Sequence, residues 1–139
     1  MKVEIVNINY EKPEILWKRA PFLEAQIRCK MFAGYVFLYT QFKYLESGTI
    51  IYAEAGHEFI RDIEIIKDKC KAEILHLEDP FAYSVTGQVI QTFHDVAFQL
   101  VVGDMLIELD NNDTHGKVLA LGDWVKFKLY GLSLWDINF

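Results

Sequence analysis

Cysteine is scarce in this chain. Cys29 and Cys70 are the only two in 139 residues. A secreted domain that depends on disulfides carries more. Neither cysteine has a second thiol at the short spacing a zinc site needs. Proline is equally sparse: Pro13, Pro21 and Pro80 are scattered, and no stretch rich in Pro, Gly or Ser marks a linker. The eight glycines form neither G-x-G-x-x-G nor G-x-x-x-x-G-K-[ST], so neither standard phosphate-cradling loop is present. No apolar run approaches the ~20 residues of a membrane-spanning helix. The first residues, Met-Lys-Val-Glu-Ile-Val-Asn-Ile-Asn-Tyr, alternate in polarity and lack the apolar core of a signal peptide. These absences predict a cytoplasmic, reduced protein away from membranes, with no cofactor and no metal.

Positive charge is missing from one long stretch. Between Ala72 and Gly116 there is no Lys or Arg, whereas Glu73, Glu78, Asp79, Asp95, Asp104, Glu108, Asp110 and Asp113 all fall there. All 14 basic residues lie outside it, and the net charge is −6. A surface that tracks phosphates needs a basic patch, so nucleic acid is not an expected partner.

Apolar residues are abundant, at 52% of the chain, which is enough to form a core and argues against disorder. A chain of this length fits one domain spanning 1–139. Much of it alternates with period two, the mark of a strand with one wet face. In Glu24–Met31, Ala25, Ile27, Cys29 and Met31 share a side; Met105, Ile107 and Leu109 do so in Asp104–Asp110, and Val125, Phe127 and Leu129 in Val125–Leu129. Lys2–Ile5 begins the same way and slips at Val6, which reads as a bulge. Gly34–Tyr44, Thr49–Ala53, Val85–Phe93 and Val96–Val102 are apolar on both sides and predict strands covered on both faces.

Turn signals punctuate these runs at Gly48, Gly56, Pro80, Gly103, Gly122 and Gly131. The expected fold is mainly β: a small antiparallel sandwich or barrel, with an OB-like arrangement in the C-terminal half from Gly87 to Phe139, and at most one or two short helices. Pro13–Ala20 is the place for a short helix. His57–Cys70 fits either a strand or a helical stripe. The apolar C-terminus predicts a final strand paired in a sheet.

Recognisable chemistry is thin. Asp110-Asn-Asn-Asp-Thr-His shares only its polarity with a calcium loop, lacking Gly at the sixth position and Glu at the twelfth. It reads as a hydrated turn. Cys29 sits on an apolar face, where a thiol is inert. Cys70 stands among Lys67, Lys69 and Lys71, so a thiolate activated by His57 or His76 is the sharpest catalytic possibility. Glu54 and Glu58 flank His57 but read as a solvated loop. No catalytic residue is assigned.

Two functions remain. The first is a non-catalytic protein-binding module with an acidic face, formed by Asp95, Asp104, Glu108, Asp110 and Asp113. It would dock a basic protein in the way immunity proteins meet cationic toxins. The alternative is a small-molecule-binding barrel or minor enzyme, its pocket lined by Tyr35, Phe37, Tyr39 and Tyr52. Strands apolar on both faces also leave room for a homodimer.

Overall fold

The computed structural model describes residues 1–16, 20–40, 45–68 and 70–137. The fold is all-β, with no helix among the described residues and therefore none long and apolar enough to cross a membrane. The strands are β1 (Lys2–Leu16), β2 (Ala20–Cys29), β3 (Ala33–Tyr39), β4 (Ile50–Gly56), β5 (Phe59–Ile66), β6 (Glu73–His76), β7 (Ala82–Phe93), β8 (Ala97–Val102), β9 (Met105–Asp110), β10 (Trp124–Tyr130) and β11 (Ser133–Asp136).

Five strands close into a barrel in the order β1-β2-β3-β11-β4. The others form a second sheet, β5-β10-β7-β8-β9, with β6 also paired to β7. β11 runs parallel to β3 and antiparallel to β4, and it closes the gap between them. The chain passes between the two sheets twice, side by side. β4 leads into β5 through His57 and Glu58, and β10 leads into β11 through Gly131 and Leu132. The Glu58 N–H donates to the Tyr130 carbonyl at 3.0 Å, so the two crossings are bonded to each other. Gly131 is required there: its φ is +68°, and a Cβ would meet the Glu58 Cβ at 2.7 Å.

Alternation places the core. Val3, Ile5, Ala25, Ile27, Val36, Leu38, Ile51 and Leu134 fill the barrel. Val85, Val89, Phe98, Leu100, Ile107, Leu109, Val125, Phe127 and Leu129 cover the inner face of the second sheet. The two sets belong to one contiguous buried cluster. Each such aliphatic or aromatic side chain contributes ~1.5–3 kcal/mol by leaving water. Tyr83 joins the sheets. From β7 its hydroxyl donates to the Tyr35 carbonyl on β3 at 2.7 Å, and its ring stacks on His76. Burial pushes this hydroxyl's pKa well above the usual tyrosine value, and the hydrogen bond to Tyr35 offsets only part of that. The approach is possible because residue 34 is glycine: a Cβ there would collide with the Tyr83 hydroxyl.

Three expectations are corrected, and one left open between strand and helix is resolved. The barrel is not the C-terminal half: the N-terminal strands and β11 build it, while β7–β10 form the second sheet. It does have the five strands of an OB-type barrel. Pro13–Leu16 is the end of β1 and Ala20 opens β2, so neither is helical; residues 17–19 lie outside those described. Of the strands expected to be covered on both faces, β7 is so between Val85 and Val89, where Thr86 and Gly87 are buried as well as Val85 and Val89, whereas β3 and β4 are covered on one face only. β3 and β4 keep Tyr35 and Tyr52 42% and 50% exposed, because among the described residues no further layer lies over their outer faces. Within His57–Cys70, residues Phe59–Ile66 form a strand. Its helical look comes from a bulge: Asp62 has φ 54°, the register with β10 shifts between Lys126 and Lys128, and Ile60 and Ile63 are both buried despite an odd spacing. The slip at Val6 is likewise a register shift between Ile5 and Asn7. The apolar end pairs as β11 within the chain's own barrel.

Candidate functional site

The acidic residues converge where β9, at the edge of the second sheet, passes β4 of the barrel. β9 follows β8 through a tight turn at Gly103 and Asp104, with Gly103 at φ +63°. Strict alternation then buries Met105, Ile107 and Leu109 and turns Leu106, Glu108 and Asp110 outward. Between β9 and β4 lies a cleft of about 410 Å³. Glu54, Asp104 and Glu108 line it together with the apolar residues Met1, Ala53, Ala55, Met105, Leu106 and Ile137. A second hollow of about 370 Å³ shares Glu108 and is lined by His57, Glu58, Asp110 and Asp113. Six carboxylates thus border two hollows that meet at Glu108.

The loop after β9 is held in shape by its own side chains. The Asp113 N–H donates to Asp110 Oδ1 at 2.9 Å, and the Asp110 N–H donates to Asp113 Oδ2 at 3.0 Å. Thr114, fully buried, anchors the turn through its N–H to the Asp110 carbonyl at 3.1 Å. His57 Nε2 lies 3.0 Å from Asp113 Oδ1 and carries the proton, since a carboxylate only accepts. This contact ties the β4–β5 crossing to the acidic loop. Burial works to raise the Asp113 pKa. The hydrogen bonds from His57 and the Asp110 backbone, with the charge of His57, outweigh it and hold the carboxyl below the usual range.

Positive charge near the hollows is limited. The Met1 amino group donates to the Ala53 carbonyl at 3.0 Å, and Lys117 Nζ donates to the Ile63 carbonyl at 2.9 Å. The Arg28–Glu4 and Lys128–Asp62 pairs lie on β2/β1 and β10/β5. The acids are strung along a seam: among the described residues no three His, Cys, Asp or Glu are disposed to hold one metal ion.

Of the five acids expected on one face, Asp104, Glu108, Asp110 and Asp113 border the two hollows. Asp95 lies outside both, in the exposed β7–β8 turn, where it and His94 have φ of 58° and 51°. Glu54 and Glu58 join the set from β4 and the crossing. Their proximity to β9 depends on a contact between distant segments, which no local pattern encodes.

The aromatic residues lie elsewhere. Tyr35 and Phe37 stand on the outer side of β3 against Phe81, with Phe37 stacked at 4.2 Å. Tyr39 packs on Trp135 and Phe22. Tyr52 is on β4, separated from β3 by β11. The barrel interior between them is filled by aliphatic side chains. Burial pushes the Cys29 thiol up, away from reactivity, and its Sγ donates to the Phe32 carbonyl. Cys70 Sγ donates to the Asp68 carbonyl, while His57 is held by Asp113 and His76 donates to the Pro80 carbonyl.

Comparisons of the chain with protein-family models, with curated proteins and with solved structures found no match.

Proposed function

We propose that the chain is a non-catalytic binding module whose acidic β4–β9 seam docks a basic protein, in the general manner of an immunity protein meeting a cationic toxin. The observation that carries this reading is the pair of hollows meeting at Glu108, with Glu54 and Asp104 on one side and Glu58, Asp110 and Asp113 on the other. Like charges gathered at a concave surface focus the field and raise the encounter rate with an oppositely charged partner. The apolar side chains in the cleft's lining supply area to bury once the charges have aligned the two molecules. The proposed setting is the cytoplasm, supported by two cysteines that remain free thiols. Self-association through the exposed outer face of β4, with Ile50 and Tyr52, belongs to the same proposal.

The test is co-purification from the native cell with the wild-type chain and Glu108→Lys in parallel. A basic protein retained by the wild type, released by added salt and lost on charge reversal is the expected result. Equal retention of that protein by both chains overturns the reading.

A further inference from the structure

β4 and β9 run alongside one another without forming a ladder among the described residues, yet their Cα atoms approach within 8 Å. A strand laid between them would need roughly 4.8 Å on each side, so the cleft at this seam admits side chains and not a further backbone.

The two hollows of the seam differ in how far their acids are already engaged. In the smaller one, Asp110 and Asp113 accept each other's N–H groups and His57 donates to Asp113. In the cleft of about 410 Å³, Glu54 comes from β4, Asp104 from the β8–β9 turn and Glu108 from β9. Among the described residues, none of these three carboxylates has a hydrogen bond or an ion pair. The Met1 ammonium also borders the cleft and donates to the Ala53 carbonyl. Three carboxylates against one ammonium leave two negative charges in excess. Ala55, Met105 and Leu106 supply apolar lining beside them.

A cleft of this volume lies in the lower part of the range that receives a small organic group. Apolar lining beside unpaired carboxylates suits a group with an aliphatic stem and a cationic head, which is a long basic side chain. Arginine fits better than lysine. Its guanidinium is more weakly hydrated than an ammonium, so it leaves water at less cost. Its five donors point in several directions and can meet carboxylates that arrive from three parts of the chain.

We infer that the β4–β9 cleft receives a single arginine side chain of the basic partner, its stem against Ala55, Met105 and Leu106 and its guanidinium among Glu54, Asp104 and Glu108. An arginine seated at the centre of an interface carries a disproportionate share of the affinity. This rests on the acidic-docking reading and names the side chain that anchors it.

The probe is a capped peptide with one arginine among glycine and serine, titrated at low salt into the isotope-labelled protein. A second peptide of equal charge carries lysine in its place. The methyl signals of Ala53, Ala55 and Met105 are expected to shift saturably with the arginine peptide. The lysine peptide is expected to bind about tenfold more weakly, the effect of one lost charge-assisted hydrogen bond. Glu54→Gln, at an exposed position of β4, should weaken the arginine peptide by about the same factor. Asp95→Asn changes the net charge equally from outside both hollows and should alter binding by less than about twofold. Equal binding of the two peptides, or an equal response to the two substitutions, overturns the arginine anchor and leaves acidic docking intact. Failure of both peptides to bind also overturns the anchor, and acidic docking then stands or falls on the Glu108→Lys comparison.

Discussion

At the scale of single residues, two contacts join distant parts of the chain, and each makes a measurable prediction. Asp113 is held below its ordinary pKa by His57 and Asp110, and its side chain is only 16% exposed. A carboxylate with a depressed pKa contributes stability at pH above its unfolded value of roughly 4, and that contribution is lost as pH falls through the folded value. Asp113→Asn is therefore expected to cost ~1.5–3 kcal/mol at neutral pH, the range of a charged hydrogen bond. It should also flatten the decline in stability between neutral pH and acid. Urea midpoints measured across that range give both quantities, and an unchanged acid slope rules the linkage out.

The Tyr83 approach to Gly34 gives the second prediction. A methyl at residue 34 would press on the Tyr83 hydroxyl and lie 3.2 Å from His76 Cε1. Gly34→Ala is expected to cost about 2–3 kcal/mol as an overpacked site. Tyr83→Phe alone should cost about 1 kcal/mol for its hydrogen bond. The double variant should be less destabilised than the sum, because removing the hydroxyl relieves the collision. Additive values in denaturant titrations would show that the hydroxyl is not what the methyl meets.

At the scale of elements, alternation was legible wherever a ladder is regular. Ala25 and Ile27 on β2, the Met105–Asp110 run of β9, and Val125, Phe127 and Leu129 on β10 face the way their spacing implies. Sequence reading loses the pattern where a bulge changes its parity. At Val6 the slip itself was visible. At Asp62 it was not, because one residue in a left-handed conformation makes a strand's buried positions fall at helical intervals. The aromatic runs of β3 and β4 misled for another reason. A ring on an outer face can lie against its neighbours, as Phe37 does on Phe81, without a second layer above it.

The candidate site was partly legible for the same reason. Asp104, Glu108, Asp110 and Asp113 are close in sequence and stay close in space. Glu54 and Glu58 reach them only because β4 runs beside β9, and such a long-range neighbourhood leaves no trace in spacing.

At the scale of the whole molecule, closure of the barrel depends on β11, which separates β3 from β4 and bonds to both. Removing Ser133 onward should leave those two edges unpaired. The truncated chain is expected to lose its cooperative thermal transition and to bind a dye that reports exposed apolar surface. A truncated chain that melts as sharply as the intact one would show that the barrel does not need its fifth strand.

That placement of β11 also governs when the protein can become itself during synthesis. β1 to β4 leave the ribosome early, yet they wait for every strand of the second sheet before their missing neighbour arrives. At about 5–20 residues per second this interval lasts several seconds. Throughout it the nascent chain carries two unsatisfied β edges, so its period of greatest vulnerability to misassembly is set by the order in which its strands are encoded.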